Sequence, residues 1–237
     1  YSPNTIVIDA PIEVRTGEGI WRPQNASNQF YGPSPLRTGI ERSRNLMTIR
    51  LAEEVGMDVV ADYAERFGVY DNMGRFLANS LGSEETTLYQ MVSAYAMFAN
   101  GGERVQPTLV DRVQDRFGPV PIAGKTGTTN AAKDVWFVGF SSNIAAGCYI
   151  GYDQPRSLGR GASGGGMCGP VFNTFMKEAI GKYGGGAFDV PEGGRFIKID
   201  RFTGARLSDS ASGPSVVAEY IRDGEEPIFG ITFDGGF

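Results

Sequence analysis

Histidine is absent from all 237 residues. That absence removes Ser-His-Asp and Cys-His nucleophile activation, imidazole metal ligation and imidazole acid–base chemistry together. Two cysteines are too few for a four-thiolate zinc site or a disulfide scaffold. Positive charge is also short, with 22 Lys and Arg against 27 Asp and Glu for a net −5, whereas a nucleic-acid binder would carry a basic face. No apolar run is long enough to cross a bilayer. The chain opens Tyr1-Ser2-Pro3-Asn4 without Met, basic n-region or apolar h-region, so it reads as a piece of a longer polypeptide whose targeting signal lies upstream. What is present is 41% hydrophobic and 21% charged, the composition of a globular core. The 34 Gly and 13 Pro argue for many turns rather than a helical bundle. An enzyme of this composition moves protons through Lys, Ser, Tyr or carboxylates.

Periodicity predicts helices over Leu46–Val55 ending at Gly56, over Val59–Phe67 ending at Gly68, and from Leu88 to Phe98 behind a Thr86-Thr87 cap. The three read as a helical subdomain. The period then changes. Asp134–Phe140 and Asn143–Tyr152 are apolar runs joined at Ser141-Ser142, the pattern of a hairpin of buried strands. A helix follows from Pro170 through Val171, Phe172, Phe175, Met176 and Ile180. Residues 1–190 read as one domain and 191–237 as a Gly-, Pro- and acid-rich tail with one apolar segment, Phe196–Ile199. Trp136 and Phe137 read as core, Arg44 as a solvated charge, and the Trp21, Phe30 and Tyr31 loop as local packing. Cys148 reads as a free buried strand residue; a bridge to Cys168 would need an oxidising compartment, and sequence supplies no distance.

The sharpest signal is Gly124-Lys125-Thr126-Gly127-Thr128-Thr129, directly before a strand. A phosphate-binding loop fails on spacing, because Pro119 stands where its first glycine belongs, and Pro119 and Pro121 lack the amides that cradle phosphate. The alternative is that Lys125-Thr126-Gly127 resembles the Lys-Thr-Gly strand of serine transpeptidases and β-lactamases, which implies a strand that grips a carboxylate-bearing peptide. Lys125 would supply the field and threonine hydroxyls the hydrogen bonds. Gly127 would let a ligand backbone approach, and the Thr128 amide would serve as an oxyanion donor.

Lys125-Thr126-Gly127, together with Ser43-Arg44-Asn45 upstream, matches two of the three motifs of serine transpeptidases and β-lactamases. With Ile49-Arg50-Leu51, Phe98-Ala99-Asn100-Gly101-Gly102 and Asp134–Gly139 in the same order, the stretch from about Thr5 to Pro191 resembles the transpeptidase domain of class A penicillin-binding proteins. The resemblance implies an α+β, serine β-lactamase/transpeptidase-like fold: an antiparallel sheet flanked by a helical subdomain, with the site in the cleft between them. It implies D,D-transpeptidation of peptidoglycan stem peptides ending in D-Ala-D-Ala, acylation by β-lactams, no metal and no organic cofactor. The glycosyltransferase domain of such proteins is expected upstream, and a periplasmic location at the inner membrane with the anchor outside this chain. Ser43 would relay a proton, Asn45 would orient the substrate carbonyl, and Lys125, Thr126, Gly127 and Thr128 would bind substrate, Lys125 catalytically. Ser43 also reads as a helix N-cap.

The family's third motif, the nucleophilic Ser-x-x-Lys, is missing: no serine in the sequence has lysine three residues on. It is expected upstream, so the isolated chain should be inactive. A second gap is expected between Arg116 and Ile122, where the family carries a longer stretch. Two rivals stand beside the transpeptidase: a β-lactamase-like hydrolase, for which no water-activating base is recognisable, and a non-catalytic peptidoglycan- or partner-binding scaffold of the same fold.

Overall fold

The computed structural model describes residues 1–104 and 120–225; the expected junction after Arg116 lies largely outside them. Along the chain, β1 (Ile6–Asp9), β2 (Val14–Thr16), β3 (Gly19–Trp21) and β4 (Gly32–Pro35) come first, with β1 antiparallel to β4 and β2 antiparallel to β3. A short α1 (Leu36–Glu41) leads to α2 (Asn45–Val55), which buries Leu46, Met47, Ile49 and Ala52 and stops at Gly56, where φ is 92°. That left-handed position suits only a residue without Cβ. Asp58 in the first turn of α3 (Met57–Arg66) and Arg66 in its last match the helix dipole. The 3-10 turn Leu77–Leu81 precedes α4 (Leu88–Ala99). Thr87 caps α4, as the threonine pair predicts, and Gln90 completes a reciprocal box with it.

The strands β5 (Ala123–Thr128), β6 (Asp134–Phe140) and β7 (Ala145–Gly151) form one antiparallel sheet in that order. A π-helical turn, Gly164–Cys168, runs into α5 (Gly169–Tyr183), which buries Phe172, Met176 and Ala179 but leaves Val171 and Phe175 exposed. The described residues end with the hairpin of β8 (Gly194–Asp200) and β9 (Val216–Arg222).

These elements divide into two compact units, the first of residues 1–61, 74–83 and from 191 onward, the second of 62–73 and 84–190. The three helices expected to stand together are thus shared out, α2 in the first unit and α4 in the second, with α3 crossing the boundary. Each follows its own apolar partner: α2 packs on β1 and the 3-10 turn, while α4 packs on β6 and β7. In the first unit the β8–β9 hairpin carries its own cluster of Ile197, Ile199 and Ile221 and is tied to α1. Arg37 pairs there with buried Glu219, and the Thr38 hydroxyl donates to the Arg201 carbonyl at 2.6 Å.

In the second unit the two faces of the β5–β6–β7 sheet are distinct. Lys125, Val138 and Gly147 are in register on one face, where a Cβ on Gly147 would collide with Leu88 and Val92 of α4. Thr126, Phe137 and Cys148 share the other, where Phe137 meets Phe172 of α5 at 4.6 Å. Cys148 is not free, as expected from its strand, but bonded to Cys168 with Cα atoms 5.5 Å apart. The π-helical turn folds Cys168 back onto β6, its Sγ 3.6 Å from the Val135 carbonyl, a proximity hidden by 20 residues of separation. Closing that loop should stabilise the fold by roughly 3 kcal/mol. Urea unfolding of the Cys148→Ser/Cys168→Ser variant checks this, and an unchanged midpoint would show that the bridge constrains nothing.

Candidate active site

Each half of the predicted site is built within its own unit. In the first, α1 ends in a C-terminal motif of two crossing bonds, Ser43 N–H to the Ile40 carbonyl (3.2 Å) and Arg44 N–H to the Gly39 carbonyl (2.9 Å). This is the Schellman arrangement, and its C′ position, normally glycine in the left-handed region, is occupied by Ser43 at φ 50°. Ser43 is therefore not the N-cap of α2, as its position before the helix suggested. That place falls to Arg44, which gives no side-chain cap. A non-glycine residue held left-handed costs about 1 kcal/mol, and Ser43 is exposed. Asn45, the first residue of α2, donates its side-chain amide to the Gln24 carbonyl at 2.9 Å. Arg44 is not the solvated charge expected: its side chain is 15% exposed with Nε 3.9 Å from Asp9, and its guanidinium lies 3.2 Å over the Tyr31 ring. The Ser27 hydroxyl and Arg44 together lower the Tyr31 phenol below its ordinary pKa.

In the second unit Lys125 and Gly127 alternate with Thr126 and Thr128 on β5, so the lysine and the two threonine side chains lie on opposite faces. Thr129 N–H donates to the Asp134 carbonyl at 3.0 Å, which fixes the phase of the ladder. By alternation the amides of Lys125 and Gly127 turn toward β6, and those of Thr126 and Thr128 turn outward. Among the described residues no strand pairs with that outer edge. The Lys125 ammonium donates to the Thr126 carbonyl at 3.0 Å, and burial lowers its pKa below lysine's ordinary value.

Sequence reasoning missed the glycine that builds this half. A Cβ on Gly164 would lie 2.7 Å from the Gly127 carbonyl oxygen and collide with that of Trp136, and the Gly164 amide donates to the Thr128 hydroxyl at 3.1 Å. Gly165 faces the Thr126 methyl. The run Ser163-Gly164-Gly165-Gly166 was its only signal, since glycine allows two backbones to touch. Gly127 itself is less crowded, for a Cβ there would meet Trp136 at 3.4 Å.

The antiparallel β5–β6–β7 sheet with its flanking helices is the α+β fold of penicillin-binding protein transpeptidase domains. The sequence match to the family of the penicillin binding protein transpeptidase domain covers residues 1–120. The chain belongs to that family and falls within its class A members. It is 35% identical to penicillin-binding protein 1A of Rickettsia bellii, over 85% of this chain and 34% of that protein. It is 32% identical to penicillin-binding protein 1A of Neisseria gonorrhoeae, over 95% of this chain and 36% of the other, a span that must include β5. The chain covers about a third of the length of these curated relatives. The crystal structure of penicillin-binding protein 1A from Haemophilus influenzae superposes with a TM-score of 0.82 at 25% identity, covering 98% of this chain and 46% of that one. PonA1 of Mycobacterium tuberculosis shares the fold, with a TM-score of 0.67 at 20% identity. The Rickettsia alignment runs over 268 positions yet takes in 85% of a 237-residue chain, so the relative carries stretches that this sequence lacks.

Proposed function

We propose that this chain supplies the substrate-gripping and proton-relay parts of a serine D,D-transpeptidase site that crosslinks peptidoglycan and is acylated by β-lactams. The nucleophile comes from a Ser-x-x-Lys segment outside these residues. The observation that carries the reading is the outer edge of β5, where the outward amides of Thr126 and Thr128 can pair with an extended peptide while Lys125 supplies positive charge for its terminal carboxylate. A D-Ala-D-Ala stem peptide laid along that edge puts its scissile carbonyl at the Thr128 amide, one oxyanion donor. Asn45 holds the neighbouring peptide carbonyl. The serine oxygen attacks as its proton is given up, the C–N bond breaks, and Ser43 relays that proton to the departing D-Ala amine, work that another residue must do where no histidine exists. An amine of a second stem peptide then takes the acyl group, releasing the serine. β-Lactams follow the same path as far as the acyl-enzyme. The protein works on the periplasmic side of the inner membrane, where this substrate lies, in one polypeptide with a glycosyltransferase domain. No cofactor takes part.

The test is to extend the chain upstream through its Ser-x-x-Lys and supply a stem pentapeptide with an amine acceptor. Release of the terminal D-Ala with formation of a peptide dimer is expected. Hydrolysis without dimer would favour the β-lactamase-like reading, and neither product the scaffold.

Lys125 also sets a pH dependence. Its folded pKa is lowered, so it loses its charge at a lower pH than an exposed lysine would. The acylation rate should therefore fall on the alkaline side at a pH below lysine's ordinary value of about 10.4, and the Lys125→Arg variant should shift that limb upward. An alkaline limb unmoved by Lys125→Arg would detach it from this residue.

A further inference from the structure

Two consecutive residues on the loop between β3 and β4 grip the turn that carries Ser43 and Asn45. The Gln24 carbonyl receives the Asn45 side-chain amide, and Asn25 Oδ1 accepts from Leu46 N–H at 3.3 Å. Leu46 is the second residue of α2, whose amide an N-cap side chain would ordinarily satisfy; Arg44 provides no such bond. Asn25 therefore caps α2 from 21 residues away in sequence. It is 3% exposed, and its side-chain amide donates to both oxygens of Asp9, at 2.7 and 3.0 Å, and to the Gln29 carbonyl at 2.9 Å.

Asp9, at the end of β1, is fully buried. A buried carboxylate persists only with compensating partners, and its partners here are Asn25 and Arg44, the residue between Ser43 and Asn45. Two constraints on one three-residue turn, the cap of α2 and the seat of Arg44, thus converge on a single carboxylate. None of the family motifs quoted above includes Asp9 or Asn25.

We infer that Asp9 and Asn25 are positioning residues for the transpeptidase chemistry, fixing the turn that carries the Ser43 hydroxyl and the Asn45 amide. This rests on the roles given to Ser43 and Asn45 above. Neither residue touches substrate; each acts through the turn. A displacement of about 1 Å in a catalytic group costs on the order of 100-fold in rate.

The experiment uses the polypeptide extended to include its nucleophile, with a chromogenic cephalosporin in stopped flow, separating the non-covalent dissociation constant from the acylation rate constant at a temperature where near-ultraviolet dichroism shows each variant folded. Asn25→Ala should lower the acylation rate constant about tenfold or more while leaving the dissociation constant within about threefold. Asn25→Asp should do likewise, since two carboxylates would then face each other. The exchange Asp9→Asn/Asn25→Asp keeps an acceptor for Leu46 and one carboxylate near Arg44 but gives up the donor to the Gln29 carbonyl, and should recover a large part of the loss seen in Asn25→Asp. Asp9→Ala strips Arg44 and Asn25 of their partner and endangers folding, so the decision rests on the Asn25 variants and the exchange. A lowered melting temperature with an unchanged acylation rate constant would make both residues merely structural and overturn the inference. Lys125→Ala runs alongside: if it too leaves acylation intact, the reading of the site has failed, whereas a defective Lys125→Ala beside a silent Asn25→Ala fails the positioning inference alone.

Discussion

Incubated with a fluorescent penicillin, the 237-residue polypeptide should carry no covalent adduct, and the same polypeptide extended upstream through a Ser-x-x-Lys should carry one. The sequence contains no serine followed by lysine at the third position. Of its serines, Ser43 stands in the matching family motif, yet it has no lysine or histidine beside it in sequence to serve as base. An alcohol without an adjacent base is a weak nucleophile at neutral pH, and removing the nucleophile from a serine enzyme costs on the order of 10⁶ in turnover. The binding edge proposed on β5 does not include that serine, so the isolated chain should still bind a β-lactam reversibly and weakly. Intact-mass spectrometry reads the outcome. A penicilloyl increment on the unextended chain, mapping to Ser43, would make that serine the nucleophile and displace the relay role assigned to it.

Ser43→Gly should move stability and activity in opposite directions. The position is the C′ residue of a Schellman motif with φ at 50°, where glycine is the unstrained choice. Relief of left-handed strain should raise stability by up to about 1 kcal/mol, partly offset by glycine's greater unfolded-state entropy and by the loss of the hydroxyl. Transpeptidation should meanwhile fall by roughly 10²–10⁴, the usual contribution of a positioned proton-transfer group. Ser43→Ala separates the two effects, with the same loss of activity and no gain in stability. Full activity in Ser43→Gly would show that the serine is kept for some purpose other than proton transfer, and a large loss of stability would show that its hydroxyl supports the turn.

The parts that sequence made legible are those governed by local rules. Gly56 ends α2, a Thr87 hydroxyl caps the start of α4, and the Ser141–Ser142 break separates β6 from β7, because caps, stops and periodicity act over a few residues. Lys125 and Thr126 were visible as a motif, yet their placement on opposite faces follows from strand alternation and became evident only when β5 was paired in register with β6. What escaped depends on non-local geometry. Cys148 and Cys168 are joined by the path of the π-helical turn. Gly164 is required by backbone atoms of two strands distant in sequence. Arg44 looked like one more surface charge until Asp9 and Tyr31 were brought to it from β1 and the loop before β4. Ser43 was taken for the start of α2 although it closes α1, since α1 is only six residues long and too short to show a period.

The central claim is that β5 of this chain grips the acyl donor of a serine transpeptidase, and the acylation rate of the extended polypeptide by a labelled penicillin, with and without Lys125→Ala, tests it most directly. Losing the ammonium removes the charge that attracts the ligand carboxylate, so the second-order rate constant should fall at least about tenfold, equivalent to ~1.4 kcal/mol of transition-state binding, with the adduct still mapping to the Ser-x-x-Lys serine. Equal rates for the two proteins, with the adduct on that serine, would contradict the claim.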